Sequence, residues 1–197
     1  MRTVGERLIE AELKRYGLRA ERFSKQEQRK GKTPDFKVYH GVELAFYCEV
    51  KDITDTDPLF DHAVPVAAGI SVAEQLRQGA IAEKGIIWKM KDAVKQFSAI
   101  DPAHKQRRVL AFVNLYDLAF VDTLRELLVG YQQTQSGHKF VTTSPEGRTE
   151  VARLAEEFDM FWWFEKHDFE PVDIRLGWEG SEELAYLRSI FNLRERP

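Results

Sequence analysis

Only Gly41 and Val42 separate two extended segments, Asp35–His40 and Glu43–Ile53, and that spacing predicts a β-hairpin. Farther along, Arg108–Leu115 contains the nearly continuous apolar run Val109-Leu110-Ala111-Phe112-Val113, the mark of a strand buried on both faces. Between them, Ile86, Ile87, Met90, Ala93, Val94 and Phe97 recur at helical spacing over Gly85–Ala99. A hairpin, a helical crossover and a doubly buried strand belong to a mixed sheet flanked by helices.

The remaining segments fit around that centre. Thr3–Tyr16 reads as a helix, with Thr3 and Glu6 as a capping box and Gly17 as the stop. Leu18–Phe23 is a short strand candidate and Ser24–Thr33 a basic loop. Thr54–Ile70 reads as an irregular loop, followed by a helix within Val72–Ile81, separate from the one at Gly85. After Tyr116 the pattern gives a helix near Ala119–Val129, a polar loop over Gln132–Arg148 and a short helix near Glu150–Glu157. An aromatic strand at Met160–Phe164 and a helix over Ser181–Phe191 complete it. The expected fold class is therefore α/β (α+β), with core order αβββαβ over residues 1–116 and a C-terminal α/β extension, 117–197, packed on the core.

Composition removes several classes. With 43% hydrophobic residues and 13 Phe, 6 Tyr and 4 Trp, the chain is not intrinsically disordered. No apolar run approaches the roughly 18 residues of a membrane span. The first residues, Met1-Arg2-Thr3-Val4-Gly5-Glu6, contain no apolar signal core, so a cytoplasmic protein is expected. The single cysteine, Cys48, excludes an internal disulfide and a cysteine-based zinc site. A net charge of −3 argues against a generic polycation, but its distribution is uneven. Lys14–Lys37 holds nine basic residues against three acids, whereas Val141–Pro197 holds seven against thirteen. A basic front and an acidic back suit a polyanion that meets one face.

The residues that carry chemistry are Pro34-Asp35 and Glu49-Val50-Lys51. Across the hairpin the two carboxylates meet at one sheet edge. Alternation points Glu49 and Lys51 to one face and Phe46, Cys48 and Val50 to the other. Charges packed on a sheet face are costly unless they pair or bind a metal. Two converging carboxylates make a hard-oxygen site for Mg²⁺, which also takes phosphate oxygens. Such an ion lowers the pKa of a bound water, and a neighbouring lysine offsets charge on a phosphorane-like transition state. That set is what metal-dependent phosphodiester hydrolysis requires.

The pattern Pro34-Asp35 … Glu49-Val50-Lys51 resembles the PD-(D/E)XK nuclease superfamily, the restriction-endonuclease-like fold. The likeness spans about residues 3–115 and is nearest to archaeal Holliday-junction resolvases and small restriction-type nucleases. It implies a Mg²⁺-dependent endonuclease acting on DNA, with Mn²⁺ as a substitute and a homodimer as a frequent assembly. Asp35, Glu49 and the Val50 carbonyl would ligate the metal, and Lys51 would act on the water or the transition state. Glu6, in the first helix, would bind through water or hold a second ion. The helix after the third strand supplies polar residues toward the site in that family, which singles out Lys89, Lys95 and Gln96. Arg22, Lys25, Arg29, Lys30 and Lys32 would track phosphates.

Blander roles stand beside these. Asp35 also suits a turn after Pro34, and Glu49 with Lys51 an exposed cross-strand ion pair. Glu6 also suits the capping box alone, and a helical wheel makes Glu12 its rival as the inward carboxylate. Asp55, Asp57, Asp61 and His62 read as a solvated loop or a second metal site; His104 and His138 have no ligand pattern. Phe161-Trp162-Trp163-Phe164 suits core or subunit packing, or base stacking. The alternative to an enzyme is a catalytically silent nucleic-acid-binding or assembly module on the same fold.

Overall fold

The computed structural model describes residues 2–29, 31–54, 72–115, 124, 126–128, 132–133, 139–140, 145–165, 172–176 and 180–191. Helix α1 (Val4–Arg15) starts at Thr3, whose hydroxyl accepts the Glu6 N–H at 3.1 Å, and stops before Gly17, which takes φ +73°. Strand β1 (Arg19–Glu21) follows, then α2 (Lys25–Gln28), β2 (Phe36–His40) and β3 (Glu43–Ile53). The long helix α3 (Val72–Ile100) crosses over to β4 (Arg108–Asn114). Two short strands, β5 (Gln132–Gln133) and β6 (Lys139–Phe140), precede α4 (Pro145–Ala155), β7 (Met160–Glu165), β8 (Val172–Leu176) and α5 (Glu182–Ile190).

The main sheet has six strands in the order β1-β2-β3-β4-β7-β8, and β5 pairs with β6 apart from it. β1 pairs antiparallel with β2, and β2 with β3 across the Gly41 turn (φ +63°). β3 and β4 are parallel, joined through α3, and β7 adds parallel to β4 before β8 turns back. The mixed sheet flanked by helices is thus as the periodicity predicts, with β7 and β8 extending the same sheet. No helix among the described residues is long and apolar enough to cross a membrane.

Two apolar layers cover the sheet. One joins Ile9 and Leu13 of α1 and Leu184, Leu187 and Ile190 of α5 to Phe36, Phe46, Cys48, Val50, Ala111 and Trp162. The other packs Ile86, Met90, Ala93 and Phe97 of α3 with Leu154 of α4 on Ile53, Leu110, Phe112 and Trp163. All seven residues of β4 are buried, the expectation for its unbroken apolar run. Phe161-Trp162-Trp163-Phe164 is buried too, at 3% exposure or less, so these rings pack the core and are not available to stack bases.

Four expectations need correction. Val72–Ile81 and Gly85–Ala99 are one continuous helix of 29 residues, because Gly85 is buried and is tolerated where packing holds the helix. The basic loop contains α2, since Ser24 and Glu27 form a reciprocal capping box. The segment 132–148 holds β5, β6 and the start of α4 rather than loop alone. Val172-Asp173-Ile174-Arg175-Leu176 is an additional strand, and its strict apolar–charged alternation is the strand period. The expected loop over 55–70, with Asp55, Asp57, Asp61 and His62, lies outside the described residues, as do Lys30 and His138.

Candidate active site

The hairpin register aligns Phe36 with Cys48, which brings Asp35, one residue before β2, beside Glu49 and Val50. Asp35 Oδ2 accepts the Val50 N–H at 2.8 Å, so this carboxylate is pinned to the backbone of the strand that carries Glu49 and Lys51. Val50 and Cys48 enter the apolar layer under α1. By alternation Glu49 and Lys51 face α3.

Helix α3 receives them with two polar residues one turn apart. Gln96 Nε2 donates to Glu49 Oε1 at 2.5 Å, and Asp92 Oδ2 lies 2.7 Å from Lys51 Nζ. Lys51 Nζ also sits 2.6 Å from Glu49 Oε1, and Gln96 Nε2 lies 3.1 Å from Asp92 Oδ2. Lys32, from the basic segment before β2, closes the ring with an ion pair to Asp92 at 3.1 Å. These are charges on an enclosed surface: the side chains of Glu49, Lys51 and Asp92 are 3%, 13% and 19% exposed.

Enclosure sets the electrostatics. Burial, reinforced by the nearby Asp35 charge, pushes Glu49 up to about 8. Burial also raises Asp35, against the Val50 N–H and the Lys51 and Arg22 charges that favour its ionised form. For Lys51, burial acts downward but is outweighed by Glu49 and Asp92, so the ammonium is held above its usual range. Burial alone would raise Asp92, yet hydrogen bonds from Lys51 and Lys32 bring it down to about 2. Glu49 and Asp35 are a carboxylate pair short of compensating charge, and Glu49 Oε2 is buried with no hydrogen-bond partner. Hard oxygen donors with an orphaned acceptor suit a divalent cation of the Mg²⁺ type. Among the described residues no three His, Cys, Asp or Glu side chains converge, so what these residues offer an ion is this pair plus main-chain oxygens.

The other candidates are distributed unevenly. Glu6, not Glu12, is the inward carboxylate of α1: Glu6 is 8% exposed and pairs with Arg22, whereas Glu12 pairs with the exposed Arg15 at 2.8 Å. Arg22 reaches over the Phe36 ring and its charge acts on Asp35, so it links Glu6 to the site. Gln96 is in the site, while its neighbour Lys95 is exposed and, among the described residues, makes no ion pair with it. Lys89 is buried at 6% exposure, 5.7 Å from the Trp88 ring centre. Lys25 and Arg29 are exposed and without a carboxylate partner among the described residues. The basic stretch is less free than its composition suggests, because Arg15, Arg19, Arg22, Lys32 and Lys37 each have an acidic partner. His104 pairs with Asp159 at 3.0 Å, outside the site.

Sequence reasoning missed Asp92. Its position four residues before Gln96 puts the two on one side of α3. A polar i, i+4 pair bordering Ala93 and Phe97 is the signal that was available. Comparisons with protein-family models, curated proteins and solved structures give no match to this chain.

Proposed function

We propose that this protein is a metal-dependent nuclease that hydrolyses phosphodiester bonds, in DNA foremost, as an endonuclease of the PD-(D/E)XK type on a restriction-endonuclease-like fold. The observation that carries the reading is the convergence of Asp35, Glu49 and Lys51 at one sheet edge, with a buried Glu49 oxygen left unbonded. Asp35, Glu49 and the Val50 carbonyl would hold Mg²⁺ or Mn²⁺. The ion, when bound, supplies charge neutralisation at the phosphate and acidifies a bound water.

The chain's own groups do the rest. Lys51 presents an ammonium where negative charge grows on the phosphate oxygens, and in an enclosed site that interaction is far stronger than in water. Asp92 and Glu49 fix its position from two sides. Gln96 orients Glu49, and the Val50 N–H orients Asp35. Lys25 and Arg29 are exposed cations that would meet the phosphate backbone.

The test is incubation of plasmid and branched DNA with the protein and Mg²⁺ or Mn²⁺. Cleavage is expected, and Asp35→Ala and Lys51→Ala should each abolish it. Cleavage that survives either change would overturn the assignment. Binding of DNA without cleavage under either ion would favour a silent binding module instead.

A further inference from the structure

Helix α3 carries an exposed aromatic where a soluble surface seldom has one. Trp88 is 54% exposed, and the other large exposed apolar residues among those described are the aliphatic Val4 and Val42. An indole left in water is costly, since a buried aromatic side chain gains about 1.5–3 kcal/mol. Its placement is specific. Asp92, which holds Lys51, is one turn on, a rise of about 6 Å. Trp88 therefore stands one helical turn from the residue that holds Lys51.

The surroundings give its occupant a charge. Lys84, Trp88 and Lys95 fall on one exposed ridge of α3 at helical spacing, and Lys32 reaches the same helix through Asp92. Lys89 lies 5.7 Å from the indole ring centre. An exposed indole set among cations is the arrangement that accepts a polyanion bearing flat rings. Within a duplex each base face is covered by its neighbours, so a side chain projecting from a helix meets a free π-face only where bases are unstacked. Stacking on Trp is also indifferent to base identity.

Resting on the nuclease reading, we propose that Trp88 stacks an unpaired base of the strand that enters the site, which makes the substrate single-stranded or locally unpaired nucleic acid. Lys32 and Lys95 flank that base and meet the backbone phosphates on either side. Both DNA and RNA strands offer this chemistry, and the experiment separates them.

The full chain is titrated in EDTA with short single-stranded DNA, single-stranded RNA and blunt duplex DNA, followed by tryptophan fluorescence and by anisotropy of the labelled strand. Trp162 and Trp163 are buried and Trp178 lies outside the described residues, so the signal is assigned by comparison with Trp88→Phe. Single strands should quench the wild type clearly more than Trp88→Phe. Trp88→Ala should bind single strands about 5- to 150-fold more weakly, with duplex affinity unchanged. Trp88→Phe, which keeps a ring, should retain most of the affinity. The arm that shows the Trp88 dependence identifies the sugar. Equal single-strand affinity for wild type and Trp88→Ala overturns the proposal, as does equal quenching by duplex. The same substrates are then offered with Mg²⁺ or Mn²⁺. Trp88-dependent binding without cleavage overturns the nuclease reading and leaves the base platform standing. Cleavage that ignores Trp88→Ala and strandedness does the reverse.

Discussion

Asp92 and Lys51 are joined across the sheet–helix gap by a 2.7 Å ion pair, and each holds the other in its charged form. Lys51 comes from the strand and Asp92 from α3, so the pair fixes the amine relative to both elements. Asp92→Asn keeps the shape and removes the charge. On the proposed nuclease reading, turnover should fall about tenfold or more, because an amine free to swing is no longer aimed at the phosphate. The KM for DNA should change far less. Stability gives a second readout. Asp92 has a depressed carboxyl, so its contribution is present above its ordinary value near 3.8 and is lost as pH falls toward 2. Between those values the wild type should lose about 1–2 kcal/mol that Asp92→Asn does not, measured by urea unfolding.

Gln96 reaches Glu49 Oε1 from the same helix and leaves the other carboxylate oxygen open. In the proposed metal site, a partner of this kind would orient the Glu49 carboxylate without touching the ion. Gln96→Leu should therefore weaken Mg²⁺ binding about 10- to 100-fold. The change would appear as a shift of the Mg²⁺ dependence of cleavage, with the rate at saturating ion largely recovered. An unshifted Mg²⁺ titration would remove Gln96 from the site.

Glu49 carries a stability cost that can be read by pH. Its carboxyl is pushed up to about 8 in the folded protein, against an ordinary value near 4.5. The native state therefore holds a proton that the unfolded chain has released. Stability should fall as pH rises from about 4.5 to 8 and level off above that, by about 2–4 kcal/mol in all. Glu49→Gln should flatten this slope and make the protein more stable than wild type at pH 8. Mg²⁺ should raise the wild-type melting temperature at pH 8 and leave Glu49→Gln unmoved. Denaturant midpoints across this range, with and without Mg²⁺, decide it.

The hairpin, the doubly buried β4 and the shared face of Glu49 and Lys51 were legible because strand period and turn spacing are local properties. What was not legible depended on partners distant in sequence. The identity of the inward acid on α1 turns on Arg22 reaching Glu6, which no helical wheel contains. Asp92 looks like a solvated charge on an amphipathic helix until Lys51 and Lys32 arrive from the sheet side. The basic stretch read as a face suited to a polyanion, yet its own acids and Glu6, Glu12 and Asp92 neutralise much of it. The undivided α3 reflects packing that overrides glycine propensity, while the strand at Val172–Leu176 was written plainly in its alternation.

Gly5 and Asp52 dock α1 on the strand that carries the site. The Gly5 N–H lies 3.2 Å from Asp52 Oδ2, one residue beyond Lys51. A Cβ at Gly5 would collide with the Asp52 carboxylate and come within 3.1 Å of Val113 Cβ. Gly5→Ala should therefore destabilise the fold by about 1–3 kcal/mol and displace the helix start that places Glu6. Asp52→Ala removes the main obstacle, so the double variant should recover much of the loss despite the remaining contact with Val113. The coupling between the two changes, from denaturant unfolding, should be of the order of 1 kcal/mol. Strictly additive effects would mean that the helix is positioned by its apolar face alone, and Glu6 would then owe nothing to this contact.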